Sequence, residues 1–539
     1  MPVQPLGFAP ACKARPGLRQ YAPAAVLLFA LGTASGSGAD RPQWGEAWSR
    51  NMVSAEQGLP DTFDPKTGRN LRWTADLGTE THATPVIARG RVFIGTNNGK
   101  PRDPRHEGDR GVLLCLDEAT GRFLWQLVVP KIKTSMFWDW PNAGICSPAT
   151  VEGDRVYLVS NRGEVMCLDV HGMTNGNDGP YQDETRHSVP PGAAPVEPGQ
   201  TDADILWLFD LVQELGVRQH DSAHGSVMAH GAFLYVNTSN GVDDSHKKIT
   251  APDAPSLVVL DKATGRLVAV DDEHIGPRIF HSTWSSPALA EVNGAAQILF
   301  CGGDGIVYAF EPVRESAEAR KGTLAPTGEE GRAEEVRFKG RTNTVAKLKK
   351  VWWFDFDPTA PKEDVHRYNS NRKESPSNIK SVPVFHRNRV YVTGGGDLWW
   401  GKHEAWLQCI DVAGTGDVTK TARVWSYPLQ QHSMSTPAIA DGLVFVGDSG
   451  HRLHCVEAAS GKAHWTHDVK GEVWASPLVA DGKVYFATRR GEFLVFAASA
   501  EKKLLSASDL GSAISGSPVA ANGVLYVTTM RQLYALQNR

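Results

Sequence analysis

The chain has 539 residues, of which 41% are hydrophobic and 22% charged, and its formal net charge is −4 at neutral pH. This globular composition supplies enough apolar material for a large core and excludes a disordered or collagen-like chain. No apolar run approaches the ~20 residues of a membrane-spanning helix, and no Lys/Arg-rich block of the kind found in nucleic-acid binders is present, so neither class is expected.

The N-terminal segment has the layout of an export signal. Three basic residues precede the apolar stretch Ala22–Leu31, and small residues follow it up to Ala39. A basic region, a short apolar region and small residues before a cleavage site are typical of a secretory signal peptide. We therefore predict a signal peptide over residues 1–39, and a periplasmic or secreted, monomeric mature protein without a membrane span.

A short phrase then recurs along the chain: a small residue, Ser or Thr, and Pro. Eight copies occur, two of them degenerate, and their central residues are Thr84, Ser147, Ser226, Ser286, Val382, Thr436, Ser476 and Ser517. Each copy leads into a tight turn and a β-branched, aromatic run, followed by further strand-like runs, one of which often carries Trp. The last three copies are 40 and 41 residues apart. Four antiparallel strands in about 40 residues make one propeller blade.

The eighth copy ends with the chain before it reaches its turn and Trp strand. Those parts stand at the other terminus, in Asp64–Gly68 and Leu71–Trp73. We therefore predict an all-β, eight-bladed β-propeller of four-stranded antiparallel blades, closed into a ring by the N-terminal strand so that no large sheet edge is exposed. Residues 40–539 form this single domain, and loop insertions are expected at 97–110, 170–203, 242–255, 311–350 and 394–405.

The repeat resembles the pyrroloquinoline-quinone (PQQ)-like repeat. The resemblance rests on Cys115–Trp125, which reads Cys-Leu-Asp-Glu-Ala-Thr-Gly-Arg-Phe-Leu-Trp, and on its copies, and it covers essentially all of residues 64–539. It implies an eight-bladed propeller. The family includes PQQ-dependent alcohol dehydrogenases and a non-enzymatic propeller lipoprotein of the outer-membrane assembly machinery, so the resemblance leaves the function open.

The cysteines favour a structural role. Cys115, Cys167, Cys409 and Cys455 occupy the same third-strand position in four different blades, which is too far apart for a disulfide. The sequence has no haem-attachment motif, no zinc-like cluster and no adjacent Cys-Cys pair of the kind that PQQ alcohol dehydrogenases commonly place beside their cofactor. We therefore expect small, buried, free cysteines.

The candidate site is a ring of residues two positions before the central Ser or Thr of each copy. Innermost propeller strands face the axis, so these residues are expected to surround one mouth of the channel. The positions are His82, Ile145, His224, Trp284, Lys380, Met434, Trp474 and Ser515. We select His82, His224, Trp284, Lys380 and Trp474 as ligand-binding candidates at a partly solvated rim. A tryptophan there would stack on a flat ligand and Lys380 would bind its oxygen; the alternative is a rim of unrelated polar residues.

Metal binding is a further hypothesis. The segment Tyr235–Gly241 resembles the strand end whose last Asn binds calcium in the PQQ enzymes, which implies Asn240 as a calcium ligand. The stretch His220–His224 contains two histidines and an aspartate, which suit a metal or acid–base role. For this stretch we prefer hydrogen bonding within its own loop.

Two functions remain open. The first is a binding or scaffold protein of the cell envelope that presents its face to a protein or a small molecule. The second is a PQQ- and calcium-dependent periplasmic oxidoreductase of the alcohol dehydrogenase type. The first is favoured because the fold signals are complete, whereas neither the carboxylate ligand nor the catalytic aspartate of those enzymes can be placed.

Overall fold

The structure, a computed structural model, describes residues 39–132, 134–315, 334–338 and 341–539. The predicted signal peptide lies outside the described residues, apart from Ala39. Strands dominate the described chain, and its helices are single turns. The α-helices are Glu184–His187 and Leu211–Leu215, and the 3₁₀ turns are Gly172–Asn175, Gly276–Arg278 and Val365–Tyr368. None of the described helices has the length and apolarity needed to cross a membrane.

In the described residues the strands form eight sheets, which confirms the eight-bladed propeller. Blade 1 consists of Val86–Ala88, Arg91–Asn97, Arg110–Asp117 and Phe123–Pro130. Blade 2 consists of Thr150–Glu152, Arg155–Val159, Glu164–Asp169 and Ile205–Asp210. Blade 3 consists of Met228–His230, Phe233–Asn237, Leu257–Asp261 and Leu267–Val270. Blade 4 consists of Ala288–Val292, Ala295–Cys301, Ile306–Phe310 and Lys350–Asp355.

The second half of the ring repeats this order. Blade 5 consists of Val384–His386, Arg389–Gly396, Ala405–Asp411 and Arg423–Leu429. Blade 6 consists of Ala438–Ala440, Leu443–Asp448, Arg452–Glu457 and Ala463–Asp468. Blade 7 consists of Leu478–Ala480, Lys483–Ala487, Glu492–Ala497 and Leu504–Asp509. Blade 8 consists of Val519–Ala521, Val524–Thr528, Gln532–Leu536 and Leu71–Asp76.

Three sheets carry strands beyond the predicted four. Gly416–Asp417 pairs in parallel with the outer strand of blade 4, and Ser377–Asn378 pairs with Arg389–Gly396 of blade 5. The 311–350 insertion, part of which lies outside the described residues, contributes a hairpin of Glu334–Phe338 and Arg341–Lys347. The second strand of this hairpin pairs in parallel with the outer strand of blade 3, so this insertion is more than a surface loop.

The ring closes as predicted. Leu71–Asp76 is the outer strand of blade 8 and pairs antiparallel with Gln532–Leu536, with Trp73 opposite Ala535. The Trp73 ring packs against the blade 1 turn at Gly121, where a Cβ atom would come within 2.5 Å of the indole. The indole N–H donates to the Glu118 carbonyl at 2.9 Å, so the first strand joins the last blade to the first.

The same contact recurs between other neighbouring blades. Each indole of this kind donates its N–H to a backbone carbonyl in the following blade. The pairs are Trp125 with Val170, Trp207 with Lys262, Trp425 with Ala458 and Trp465 with Ser499. The turn glycines Gly265 and Gly461 have a φ of 72° and would collide with the facing indole if they carried a side chain. The repeated Trp and Gly are therefore a blade-to-blade packing pair.

The recurring Ser or Thr has an equally direct role. In five of the eight copies its hydroxyl accepts a hydrogen bond from the backbone N–H of the equivalent residue in the preceding blade. The donor–acceptor pairs are Ser226–Ser286, Val382–Thr436, Thr436–Ser476, Ser476–Ser517 and Ser517–Thr84, at 2.8–3.0 Å. The innermost strands are thereby held at a fixed spacing around the axis.

The segment Arg41–Ser54, to which the repeat pattern assigns no role, runs round the axis against the innermost strands. Its backbone or side chains hydrogen-bond with residues from all eight blades: Ile87, Val151, Val227, Leu289, Phe385, Ile439, Val479 and Ala520. Arg50 is fully buried and donates to the carbonyls of Trp44, Val227 and Pro287. Burial lowers the pKa of Arg50 to about 9.

The described cysteines are buried and free, as expected. Cys115 and Cys455 pack inside two separate hydrophobic clusters between adjacent blades, together with strand residues such as Phe93 and Phe445. Their thiols fill space between sheets, and burial raises the pKa of both thiols above the ordinary value.

We expect Ser476→Ala to lower the free energy of unfolding by about 1–3 kcal/mol, because the buried Thr436 N–H loses its acceptor. Ser476→Thr is the matched control, since Thr serves in this position at Thr84 and Thr436. Urea unfolding of the three proteins measures the difference. Equal stability of the Ala and Thr variants would show that the hydroxyl ring does not stabilise the propeller.

We expect Trp73→Ala to destabilise the protein by about 3–5 kcal/mol, because a large buried ring and the contact between the last and first blades are both lost. Trp48→Ala is the control in the same N-terminal region, as the Trp48 side chain is 50% exposed. Thermal and urea unfolding report the effect. A Trp73 variant that unfolds like the Trp48 variant contradicts ring closure by this strand.

Candidate functional site

A cavity of about 480 Å³ lies on the propeller axis. All five selected candidates line it, together with Met434: His82, His224, Trp284, Lys380 and Trp474. They meet there because each stands two residues before the central Ser or Thr of its copy, and those residues are tied into one ring. Trp44 from the N-terminal segment also lines the cavity. The structure thus brings the predicted residues together, and their role in binding stays a prediction.

Lys380 differs from the expectation of a partly solvated rim. It is only 5% exposed, and its Nζ lies 3.1 Å from Asp397 Oδ2 and 3.1 Å from Ser282 Oγ. The same nitrogen lies 4.3 Å from the centre of the Trp284 ring. Asp397 is contributed by the 394–405 insertion, which folds inward over the axis, so a charge expected at the rim is buried in an ion pair.

Asp397 is the centre of this polar cluster. Its Oδ2 also faces His281 Nδ1 at 3.0 Å and accepts from Asn378 at 2.9 Å, while its Oδ1 accepts from the backbone N–H groups of Trp399 and Trp400. Burial acts to raise the pKa of Asp397, but Lys380 and His281 outweigh it and hold that pKa well below the ordinary value. Asp397 is therefore a buried carboxylate that orients both the lysine and the histidine.

Trp474 forms a second part of the wall. Its indole N–H donates to Glu472 Oε2 at 2.7 Å, and the Arg489 guanidinium lies 4.4 Å from the centre of its ring. Arg489 stands in the turn between the second and third strands of blade 7 and donates to Ser515 Oγ at 2.6 Å. The ring alignment does not include this turn, so Arg489 was missed.

The 394–405 insertion also supplies aromatic rings. Trp399 and Trp400 both line the cavity. The Trp399 ring lies edge-on to Trp284 at 5.9 Å and to Trp474 at 6.2 Å. The two predicted tryptophans are thereby linked by a third, which the sequence placed only in a loop of unassigned function.

Three buried histidines meet at the wall of the cavity. His220, His246 and His281 have ring nitrogens within 4.8 Å of one another, and His220 Nε2 lies 3.1 Å from His246 Nε2. Extending the alignment by a few positions would have found two of them, because His220 is six residues before Ser226 and His281 five before Ser286. His246 lies in the 242–255 insertion and carries no repeat signal.

For the stretch His220–His224, the preferred interpretation is hydrogen bonding within its own loop, and the structure agrees with it for His224 only. His224 Nε2 lies 3.1 Å from the Asp221 carbonyl, and the His220 carbonyl accepts from the Trp284 indole at 3.1 Å. Burial lowers the pKa of His224 to about 4, so its imidazole is neutral at physiological pH. Hydrogen bonding inside the loop therefore accounts for His224, whereas the His220 ring belongs to the three-histidine group.

Asn240 does not line the cavity. Its Oδ1 accepts from the Arg218 N–H at 3.3 Å and its Nδ2 donates to the Ala251 carbonyl at 2.9 Å. These bonds hold Asn240 against the segment that precedes His220. A calcium ion at Asn240 would have to replace the first of them, and the calcium role stays a prediction.

Residues 52–172 and 403–504 match a PQQ-repeat family model described as outer membrane protein assembly factor BamB. The predicted resemblance to the PQQ-like repeat is confirmed. Among solved structures, this chain is similar to BamB from Moraxella catarrhalis, with 11% identity and a TM-score of 0.48 over 86% of this chain and 96% of that chain. A search of curated proteins finds no significant match.

Two similar structures are named as enzymes. Quinohemoprotein alcohol dehydrogenase from Comamonas testosteroni has 11% identity and a TM-score of 0.46, over 92% of this chain and 80% of that chain. A europium-containing methanol dehydrogenase has 10% identity and a TM-score of 0.45, over 93% of this chain and 98% of that chain. Likeness at this level shows the fold alone and does not bear on the ligand of this chain.

We expect Lys380→Met to lower the free energy of unfolding by about 3–5 kcal/mol, because it leaves the buried Asp397 carboxylate without its cation. The double variant Lys380→Met/Asp397→Asn should recover most of this loss, since the charge is removed as well. Lys470→Met is the control, because the exposed Lys470–Glu492 pair contributes at most about 1 kcal/mol. A double variant less stable than the single one would contradict the buried pair.

Proposed function

We propose that this protein is an exported binding propeller that holds a flat, anionic small molecule in its axial cavity. The observation that carries the proposal is the convergence of Trp284, Trp399 and Trp474 with the Arg489 guanidinium on one cavity wall. Indole faces stack on flat rings, and a guanidinium binds a carboxylate through two parallel hydrogen bonds. Small-molecule sites commonly combine such aromatic walls with a few fixed polar groups.

Arg489 is the cation that this cavity offers to a ligand. Lys380 is already paired with Asp397, whereas Arg489 forms no salt bridge with any described residue and donates to the neutral hydroxyl of Ser515. Glu80 and Glu472 act on Arg489 only at longer range, and burial lowers its pKa. A ligand carboxylate that reaches Arg489 would therefore meet a partly buried cation that has no salt bridge to a described residue.

PQQ itself fits this cavity in part. It is flat and carries carboxylates, which suit the tryptophans and Arg489. Calcium does not fit equally well, because calcium requires six to eight oxygen ligands and only Glu80 and Asp221 among the described lining residues carry a carboxylate. The described cysteines are free, so none of them forms a disulfide beside the cavity. The alternative of a PQQ- and calcium-dependent oxidoreductase is therefore the weaker proposal.

The cell envelope is the proposed location. The predicted signal peptide supports it, and so does the match to a family model described as an outer membrane protein assembly factor. A protein partner at the propeller face is part of this proposal. Met136 and Trp140, in the loop beside the cavity, are 49% and 38% exposed and offer apolar contact for such a partner.

PQQ as a probe tests the proposed function. Titration in chelator-containing buffer, followed by tryptophan fluorescence, should show saturable quenching that added calcium does not change. Arg489→Gln should weaken binding by about tenfold or more, because a hydrogen bond to a charged group contributes about 1.5–3 kcal/mol. Arg490→Gln is the control, since Arg490 is the exposed neighbour in the same turn.

Three outcomes would contradict the proposal. Absence of saturable quenching, or an equal loss in the Arg489 and Arg490 variants, would leave only the protein-scaffold function. Binding that requires calcium and is accompanied by alcohol-dependent dye reduction would favour the oxidoreductase instead.

A further inference from the structure

We propose that His220, His246 and His281 form a binding site for a transition-metal ion, with Zn²⁺ as the reference ion, at the wall of the axial cavity. The three residues come from the segment before blade 3, the 242–255 insertion and the segment before blade 4. This site does not depend on the proposed organic ligand, since none of the three histidines is Arg489 or one of the stacking tryptophans.

The spacing of the nitrogens suits a single ion. The three ligand atoms lie within 4.8 Å of one another, and the two facing Nε2 atoms of His220 and His246 are 3.1 Å apart. Zinc–nitrogen bonds of about 2.0–2.1 Å in a tetrahedral site place two ligand nitrogens roughly 3.3 Å apart. Only small side-chain movements are therefore needed to bring the rings to bonding distance.

Two of the rings are already oriented by groups behind them. His220 Nδ1 faces the Val242 carbonyl at 3.0 Å, and His281 Nδ1 faces Asp397 Oδ2 at 3.0 Å. An acceptor at Nδ1 keeps the proton on that nitrogen, so Nε2 carries a lone pair that can bind a metal; on His220 this lone pair faces His246 Nε2. A carbonyl or carboxylate behind the distal nitrogen is the usual second layer of a histidine metal site.

His281 carries an unsatisfied atom that points to a ligand. The side chain is only 2% exposed, and its Nε2 has no hydrogen-bond partner among the described residues. Solvent therefore does not satisfy this atom. A buried polar atom without a partner carries a free-energy cost, and such atoms are rare in native structures. A metal ion among the three histidines would satisfy this atom.

The cation nearest to His281 already has a counter-ion. The positive charge of Lys380, which lies 3.4 Å from His281 Nδ1, is balanced by Asp397.

The donor set selects the class of ion. Three imidazoles suit zinc, copper, iron or nickel, whereas calcium and magnesium prefer oxygen. Asp221 lies beside the cluster, with Oδ2 at 3.6 Å from His220 Nε2 and with Oδ1 lacking a partner among the described residues. Because Asp221, His246 and His281 all line the cavity, a fourth ligand would come from Asp221 or from the cavity side.

The backbone at the site is held in an uncommon conformation. Asp221, Ser222 and His246 are all left-handed, with φ values of 58°, 80° and 57°. The Asp221 N–H donates to the Phe137 carbonyl at 2.6 Å, and the Ser222 N–H to the Trp138 carbonyl at 3.3 Å. Left-handed non-glycine residues are uncommon and persist where the surrounding structure maintains them.

The test uses the full-length protein, stripped of metal with a chelator and titrated with Zn²⁺ by calorimetry and with Co²⁺ by visible absorption. One equivalent of Zn²⁺ should bind, excess Ca²⁺ should not displace it, and Co²⁺ should give the absorption of a tetrahedral centre. His246→Ala and His281→Ala should each weaken Zn²⁺ binding by at least about 100-fold, since even second-layer changes cost 10–100-fold.

His432→Ala is the matched control, because His432 is also a buried axial histidine whose ring nitrogens lack partners among the described residues, yet it is outside the cluster. It should bind Zn²⁺ as the wild type does. His246 lies in a loop insertion, so its variant is the one expected to keep the fold, and circular dichroism verifies this.

Three results would overturn the site: no stoichiometric Zn²⁺ binding to the wild type, equal weakening in the His246 and His432 variants, or displacement of Zn²⁺ by Ca²⁺. The PQQ titration of the Arg489 variant is independent of these measurements. Failure of the metal site and failure of the proposed function are therefore distinguished.

Discussion

The ring of hydroxyl–amide hydrogen bonds around the axis is the constraint on which the rest of this propeller depends. Five central Ser or Thr residues accept from the backbone of the preceding blade, as Ser476 does from Thr436 and Ser517 does from Ser476. Both atoms of each pair are buried, so an unpaired partner would be costly. These bonds set the distance between innermost strands and therefore the width of the cavity between them.

Tryptophans form another set of hydrogen bonds between neighbouring blades, farther from the axis. A repeated indole donates to the next blade and packs on a turn that only glycine can make, as with Trp73 and Gly121. Neighbouring blades are thus joined by hydroxyl hydrogen bonds near the axis and by indole hydrogen bonds farther from the axis. The N-terminal segment adds a third set of bonds, in which Arg50 donates to the Val227 and Pro287 carbonyls before blades 3 and 4 and pairs with no carboxylate of the described residues.

This rigid frame explains why ionisable groups can be concentrated at the axis. Lys380 and Asp397 are both buried. The cost of burying these two charges is offset because they pair with each other and each has further hydrogen-bond partners. The histidines respond to the same environment by staying neutral. Among the described lining residues, the cavity therefore presents a cation without a salt bridge, Arg489, and a neutral group of imidazoles, two features that suit different ligands.

The repeat made much of the fold predictable. Strand-like runs at near-constant spacing, turn glycines and a Trp strand displaced to the N-terminus were sufficient to predict eight blades and closure by Leu71–Asp76. The convergence of His82, Trp284 and Trp474 was also predictable, because a periodic position maps to one level of a ring. Extending the same alignment would have added His220 and His281.

The tertiary structure alone decided which of these groups act together. His246 and Asp397 lie in insertions, which do not follow the repeat. Only the folded structure shows that His246 lies beside His220 and that Asp397 lies beside Lys380. The same holds for Arg489, which reaches the cavity from a turn. A repeat fixes what recurs in every blade, namely the backbone frame, whereas side chains that occur once are positioned by packing between blades that are distant in sequence.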